Sequence, residues 1–372
     1  MLSETQRLKK ALNKETVDRP PCICPGGMMN MITKGVMEAA NVFWPDAHTN
    51  PNLLAQLSTA AHDTRCFENY GVPFCMTVEV ENMGAKVDLG DMTHEPRVSE
   101  YVINSVSEFY DINPMDCKKG RAAIVLEAID LLKSRKNNVP VIGNLTGPIS
   151  VASSLMEPTI FYKELRKKKQ DAHNFLDFVS DQLLKFGLEQ LRAGADVITI
   201  SDPSGTGEIL GPSMFAEYTV PAINKITQGL RKEFPEAGII VHICGQMRSV
   251  FKPLADVYSQ AVSFDAEVSL RNAKENLQEK AIMGNVSTFA LEFANPEKIA
   301  AMTKLCVRNG ADIIAPACGM GTCSPLENVQ AILATLKKDI HNFYNLEMNC
   351  VKLLYYNNSG AKNDRRRKIS KK

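Results

Sequence analysis

Residues 238–246 read "GIIVHICGQ". Four apolar residues in a row lead into His242, Ile243, Cys244 and Gly245. A short continuous apolar run is the pattern of a strand covered on both faces, as in a parallel sheet. Seven further runs have the same character: 21–25, 73–79, 140–145, 196–201, 261–267, 281–286 and 311–318. Stretches with helical patterning separate them, among them "GRAAIVLEAIDLLKS", the long segment 150–192, "PEKIAAMTKLCVRN" and "PLENVQAILATLKKDI". Eight strands alternating with helices in a chain of 372 residues predict an α/β fold of (β/α)8 TIM-barrel type. The competing architecture is a doubly wound open sheet. No Gly-rich dinucleotide fingerprint follows the first run to support it.

The flanks add detail. Ser3 and Gln6 match a capping box ahead of Leu8 and Leu12, which predicts a short N-terminal helix. Residues 80–105 read as a hairpin-like insertion after the second strand. "RAGADVITISDPSGTGE" (192–208) echoes "RNGADIIAPACGMGT" (308–322), a shift of four strands that half-barrel duplication would give; a generic helix–glycine–strand junction gives the same echo. The expected division is one barrel domain over 1–345 and a C-terminal extension over 346–372. Its last twelve residues, "AKNDRRRKISKK", carry seven basic groups and one acid. Without interleaved aromatics that tail reads as a solvated, disordered end rather than a nucleic-acid or membrane patch.

Composition restricts the class of protein. Hydrophobic residues make up 44% and charged residues 23%, with a net charge of +1, as in ordinary globular domains. No stretch reaches the roughly 18 apolar residues of a membrane span. The N-terminus has no apolar core of a secretory signal. Ten scattered cysteines then point to a reducing, cytoplasmic setting with free thiols.

Polar residues gather where the apolar runs end. Asn144 and Thr146 close the third run, Asp202 and Ser204 follow the fourth, and His242 and Cys244 end the fifth. Asp265 and Glu267 end the sixth, Asn285 the seventh and Cys318 the eighth. In a TIM barrel the C-terminal strand ends form the active face. Residues i and i+2 of a strand share a face, so His242 and Cys244 point together. Cys318 offers a third soft ligand from three strands away. Two cysteines and one histidine suit zinc with a fourth position open, the arrangement of a catalytic site. The same residues also read as inert core thiols beside a satisfied histidine, and the residues alone leave both readings open. Cys22 and Cys24 read as core and Cys323 as a loop thiol. His48, His62, His94, His173 and His341 lack partners at ligand spacing.

"VHICG", "SDPSGTGEILGPSMFAEY", "DAEVSLRNAKENL", "AIMGNVST" and "GADIIAPACGMGTCSPLENVQA" occur in that order. Together with the opening "RLKKALNKETVDRPP" they resemble the uroporphyrinogen decarboxylase superfamily over nearly the whole chain to about 345. His-x-Cys followed by a late cysteine is similar to its zinc branch, the methylcobamide:coenzyme M methyltransferases and their relatives. The resemblance implies Zn2+ held by His242, Cys244 and Cys318, and a methylcobamide presented by a corrinoid protein. It implies attack of a zinc-bound thiolate, such as coenzyme M, on methyl-Co(III). Glu267 is the candidate fourth ligand at rest. Asp202 is expected to orient His242 or to contact substrate, and Asn144 and Asn285 to donate hydrogen bonds to an anionic substrate head. Met28 and Met29 read as an adaptable apolar rim or as ordinary core. "PGGMMN" departs from the loop expected of the coenzyme M enzymes, so another thiol, a tetrahydrofolate-linked system, or transfer from a small methylated substrate onto the corrinoid are the alternatives. The decarboxylases grip porphyrin carboxylates with arginines after the first strand. This chain has no arginine between Arg19 and Arg65, which argues against that activity. A non-catalytic zinc barrel that binds the corrinoid protein is a further alternative.

Overall fold

The computed structural model describes residues 1–338; the expected boundary at 345, the basic tail and His341 lie outside the described residues. Six strands form one parallel sheet: β1 (Tyr70–Val72), β4 (Val141–Thr146), β5 (Val197–Ser201), β6 (Gly238–Ile243), β7 (Ala261–Phe264) and β8 (Ala281–Met283). Their spatial order is the chain order, β1-β4-β5-β6-β7-β8, and every neighbouring pair is parallel. A doubly wound sheet reverses its strand order part-way across. Here there is no reversal, which removes that alternative.

Two of the eight expected strands are present only as isolated bridges. Met283 bridges Ile313, and Cys22 bridges Ile314. The Cys22 carbonyl then accepts from the Glu68 N–H at 2.8 Å, two residues before β1. Segments 21–24 and 313–316 thus pair through isolated bridges and scattered backbone bonds instead of continuous ladders.

The second expected strand, 73–79, is misplaced by several residues. The strand is β1, ahead of Pro73, and Val78–Asn82 is a short helix. Pro73 has no N–H for a ladder, so the strand stops before it. The segment 150–192 is three helices, Pro148–Leu155, Pro158–Lys167 and Lys169–Arg192. Pro158 occupies the first turn of the second helix, where the Glu157 side chain caps the Ile160 N–H. The N-terminal helix Glu4–Leu12 forms with both bonds of its Ser3–Gln6 capping box. The insertion is an antiparallel hairpin of β2 (Lys86–Asp88) and β3 (Arg97–Glu100).

Every residue of β4, β5 and β6 is buried. That explains their mostly apolar sequence, since each fully buried Val or Ile contributes about 1.5–3 kcal/mol. Polar side chains gather toward the strand ends, with Asn144, Thr199 and Ser263 inside β4, β5 and β7. No helix among the described residues is long and apolar enough to cross a membrane.

Candidate metal centre

His242 lies one residue before the end of β6 and is fully buried. The β6–β7 register sets it opposite Ser263. Its Nδ1 is 2.9 Å from the Ser263 hydroxyl, which fixes the ring and turns Nε2 toward Cys244 Sγ at 3.2 Å. Cys244 follows two residues on, past the last ladder bond. Gly245, at a φ of 74° that favours glycine, turns the chain away, and its N–H reaches Asp265 Oδ2 at 3.3 Å.

Cys318 arrives from the far side. The Ala317 N–H donates to the Val286 carbonyl at 2.8 Å, and the next residue carries its thiol to 3.3 Å from Cys244 Sγ. One ligand atom each of His242, Cys244 and Cys318 fall within 4.8 Å of one another, and no other such group occurs among the described residues. The hydrogen bond with Cys244 holds Cys318 down to about 5 against the opposing effect of burial. The same bond, reinforced by burial, pushes Cys244 far up. Two half-buried cysteine sulfurs and an oriented imidazole form a soft donor set that suits zinc.

Other predicted site residues take different roles. Asp202 does not orient His242. Its carboxylate accepts from the N–H groups of Ile149 and Ser150 and from the Ser150 hydroxyl, at 2.7–3.2 Å, across the first turn of helix Pro148–Leu155. Only its backbone meets His242, by donating to the carbonyl at 2.9 Å. Burial pushes the Asp202 carboxyl up to about 6, and the Ser150 and Ile149 bonds pull the other way.

The two asparagines have no donor left for a substrate. Asn144 Nδ2 donates to the carbonyls of Pro25 and Val72, and Asn285 Nδ2 to those of Asp265 and Val268. Each amide has two hydrogens, and both are engaged. Glu267 is exposed, accepts from Gln246 Nε2 at 3.1 Å and lies outside the ligand group. β7 ends at Phe264, so Asp265 is the acid that turns back toward the Cys244 loop. Met29 is fully buried against the Ser263 hydroxyl and is core, not rim. Met28 is half-buried, with its sulfur beside both thiols.

Two contributors escape the sequence reading. Ser263 holds the histidine; a polar residue inside the apolar run "AVSF" was the available signal. Glu95 is half-buried in the loop between β2 and β3. Burial, and then the charge of Cys318, push its carboxyl up to about 8. The Thr322 hydroxyl donates to the Thr93 carbonyl at 3.1 Å and ties this loop to the segment after Cys318. Nothing in the hairpin's own sequence points to that contact.

Sequential parallel strands with a Cys2His group at their C-terminal ends define an α/β protein with a group of side chains that could hold a metal ion. The uroporphyrinogen decarboxylase (URO-D) family model matches residues 3–338, and the chain belongs to that family. The methylcobamide:CoM methyltransferase MtbA of Methanosarcina acetivorans is 28% identical over 334 residues, covering 89% of this chain and 97% of the relative. The methylcobamide:CoM methyltransferase MtaA of Methanosarcina barkeri is 30% identical over 335 residues, covering 88% and 96%. A solved methyltransferase structure from Methanosarcina mazei superposes with a TM-score of 0.84 at 29% identity, covering 92% of this chain and all of the other.

Proposed function

We propose that this protein is a zinc-dependent methyltransferase that moves a methyl group from a methylated corrinoid protein to a thiol such as coenzyme M. The observation that carries the proposal is the convergence of His242, Cys244 and Cys318 within 4.8 Å. The relatives named as methylcobamide:CoM methyltransferases support the donor and acceptor classes.

His242, Cys244 and Cys318 would hold the zinc, which when bound supplies the Lewis acidity that lowers the pKa of an added thiol. The chain's own groups prepare that event. Ser263 fixes the His242 ring so that Nε2 faces the cup. The hydrogen bond with Cys244 lowers the Cys318 thiol, which favours its deprotonation on metal binding. The half-buried setting of the two thiols limits competition from water. Burial, and then the charge of Cys318, raise the Glu95 carboxyl, which favours its neutral form.

Arg19 supports the rejection of the decarboxylase reading. It is enclosed, and its guanidinium is committed to the buried Glu68 carboxylate, so it is closed to a polycarboxylate substrate. The test is zinc analysis combined with demethylation of free methylcobalamin against a panel of thiols and folates. About one zinc per chain, release of about one proton on thiol binding and thiol-dependent turnover are expected. Full turnover in a Cys318→Ala variant that has lost its zinc would defeat the proposal. Zinc without any thiol response would favour a binding scaffold.

A further inference from the structure

The loop "PGGMM" (25–29) makes a contact that the three-ligand reading does not use. Met28 Sδ lies 3.6 Å from Cys318 Sγ and 4.0 Å from Cys244 Sγ. The backbone is shaped to put it there. Gly26 and Gly27 have φ of +93° and +60°, which side-chain-bearing residues rarely adopt. A Cβ on Gly26 would come within 2.9 Å of the Pro73 carbonyl, and one on Gly27 within 2.9 Å of Asn144 Cβ. From the opposite side, a Cβ on Gly319 would lie 2.6 Å from the Met28 carbonyl. The glycine after Cys318 therefore lets the Met28 backbone approach the very residue whose thiol its sulfur meets.

The distances have a simple meaning. In a tetrahedral site with zinc–sulfur bonds of about 2.3 Å, two sulfur donors lie about 3.8 Å apart. The separations of Met28 from the two cysteine sulfurs fall on either side of that edge length. Packing alone would place the ε-methyl or a methylene toward the thiols as readily as the sulfur.

We propose that Met28 is the fourth donor at rest, and that its thioether is the group an incoming thiol displaces. The proposal rests on the zinc reading above and deepens it. The exchange balances without redox chemistry: the Met28 sulfur leaves, the acceptor sulfur takes its position, and the thiol proton goes to solvent. A neutral thioether is a weaker donor than a thiolate, so the exchange runs toward acceptor. The end of Met28 is CH3–S–CH2, the same group that a methylated thiol presents. The cup thus contains its own likeness of the product, and methylation returns the acceptor to the donor class that Met28 can displace. This assigns Met28 the place otherwise expected for Glu267, whose carboxylate faces Gln246 in solvent.

Zinc-edge X-ray absorption on full-length protein labelled with selenomethionine tests this without altering the fold. Zinc bound at about one per chain, with one selenium among its nearest neighbours, is expected; the selenium is lost when excess thiol is added. In unlabelled protein, Met28→Leu should reduce the sulfur neighbours of zinc from three to two, with metal content unchanged. Zinc surrounded by two sulfurs and only nitrogen or oxygen in the wild type would overturn the role of Met28 and leave the zinc reading intact. Absence of zinc would overturn both.

Discussion

The polar residues at the ends of β4 and β5 and those at the ends of β6 and β7 occupy the same rim of one sheet, yet they are used in opposite ways. On the β4–β5 side the conspicuous side chains are held largely by backbone, although Asn144 Oδ1 and the Ser201 hydroxyl have no hydrogen-bond partner. Asn144 holds the loops that follow the first two strands, and Asp202 caps a helix. Glu79 accepts from the Thr146 N–H and hydroxyl at the end of β4. On the β6–β7 side the bonds stop one short. Ser263 takes one nitrogen of His242 and leaves the other facing two sulfurs. Most buried polar groups are hydrogen-bonded. Where backbone engages the group it acts as scaffold, and where soft donors meet each other the group suits a metal.

That contrast can be broken by experiment. The largest effect belongs to the sulfur side. Cys318→Ala removes one of the three proposed ligands, and zinc content and thiol-dependent demethylation should fall to background while the thermal midpoint of the metal-free protein changes little. Retained zinc at one per chain would dissolve the contrast.

Asp202→Asn is the matching test on the scaffold side. The amide presents a donor to one of the two backbone N–H groups that the carboxylate serves, so stability should drop by about 1–3 kcal/mol in denaturant titrations. Zinc affinity should be unchanged. Because burial raises the folded pKa of Asp202 to about 6 from its ordinary 3.8, its contribution is greatest in acid and declines as pH rises through that interval. A loss of metal affinity in this variant would return Asp202 to the site.

Ser263→Ala sits on the boundary. The ring of His242 keeps its place in β6 but loses the bond that aims Nε2, so zinc affinity should weaken roughly 10- to 100-fold in a chelator competition. An unchanged affinity would mean that strand geometry alone orients the ring.

The effect that is smallest at neutral pH concerns a buried base. Burial, aided by Arg121, depresses His48 to about 3, and its Nε2 has no hydrogen-bond partner. The unfolded chain binds this proton below about 6.5 and the folded chain does not, so stability falls with acid by roughly 1.4 kcal/mol per pH unit. His48→Phe should flatten that part of the pH–stability curve; an identical slope would assign the acid sensitivity elsewhere.

Much of this was legible in the sequence because it depends on local pattern. Continuous apolar runs give buried parallel strands, and two-residue periodicity puts His242 and Cys244 on one face. The approach of Cys318 was legible from its place at the end of a later run. The errors have one cause. Asn144, Asn285, Asp202 and Glu267 stand at strand ends just as His242, Cys244 and Cys318 do, and a strand end does not tell whether a side chain turns to the cup, the backbone or solvent. Pro73 shifted the second strand because one missing N–H outweighs an apolar run.

The sequence by itself determined the strand order, the donor types and the rim on which they lie, since these follow from periodicity and residue chemistry. Only the tertiary structure decided which polar groups were already satisfied. It also decided that Ser263 aims the histidine, that Glu95 folds over from a distant hairpin, and that Met28 rather than Glu267 stands beside the thiols. Those outcomes depend on contacts between residues tens or hundreds of positions apart, set by register and loop packing, which no local pattern encodes.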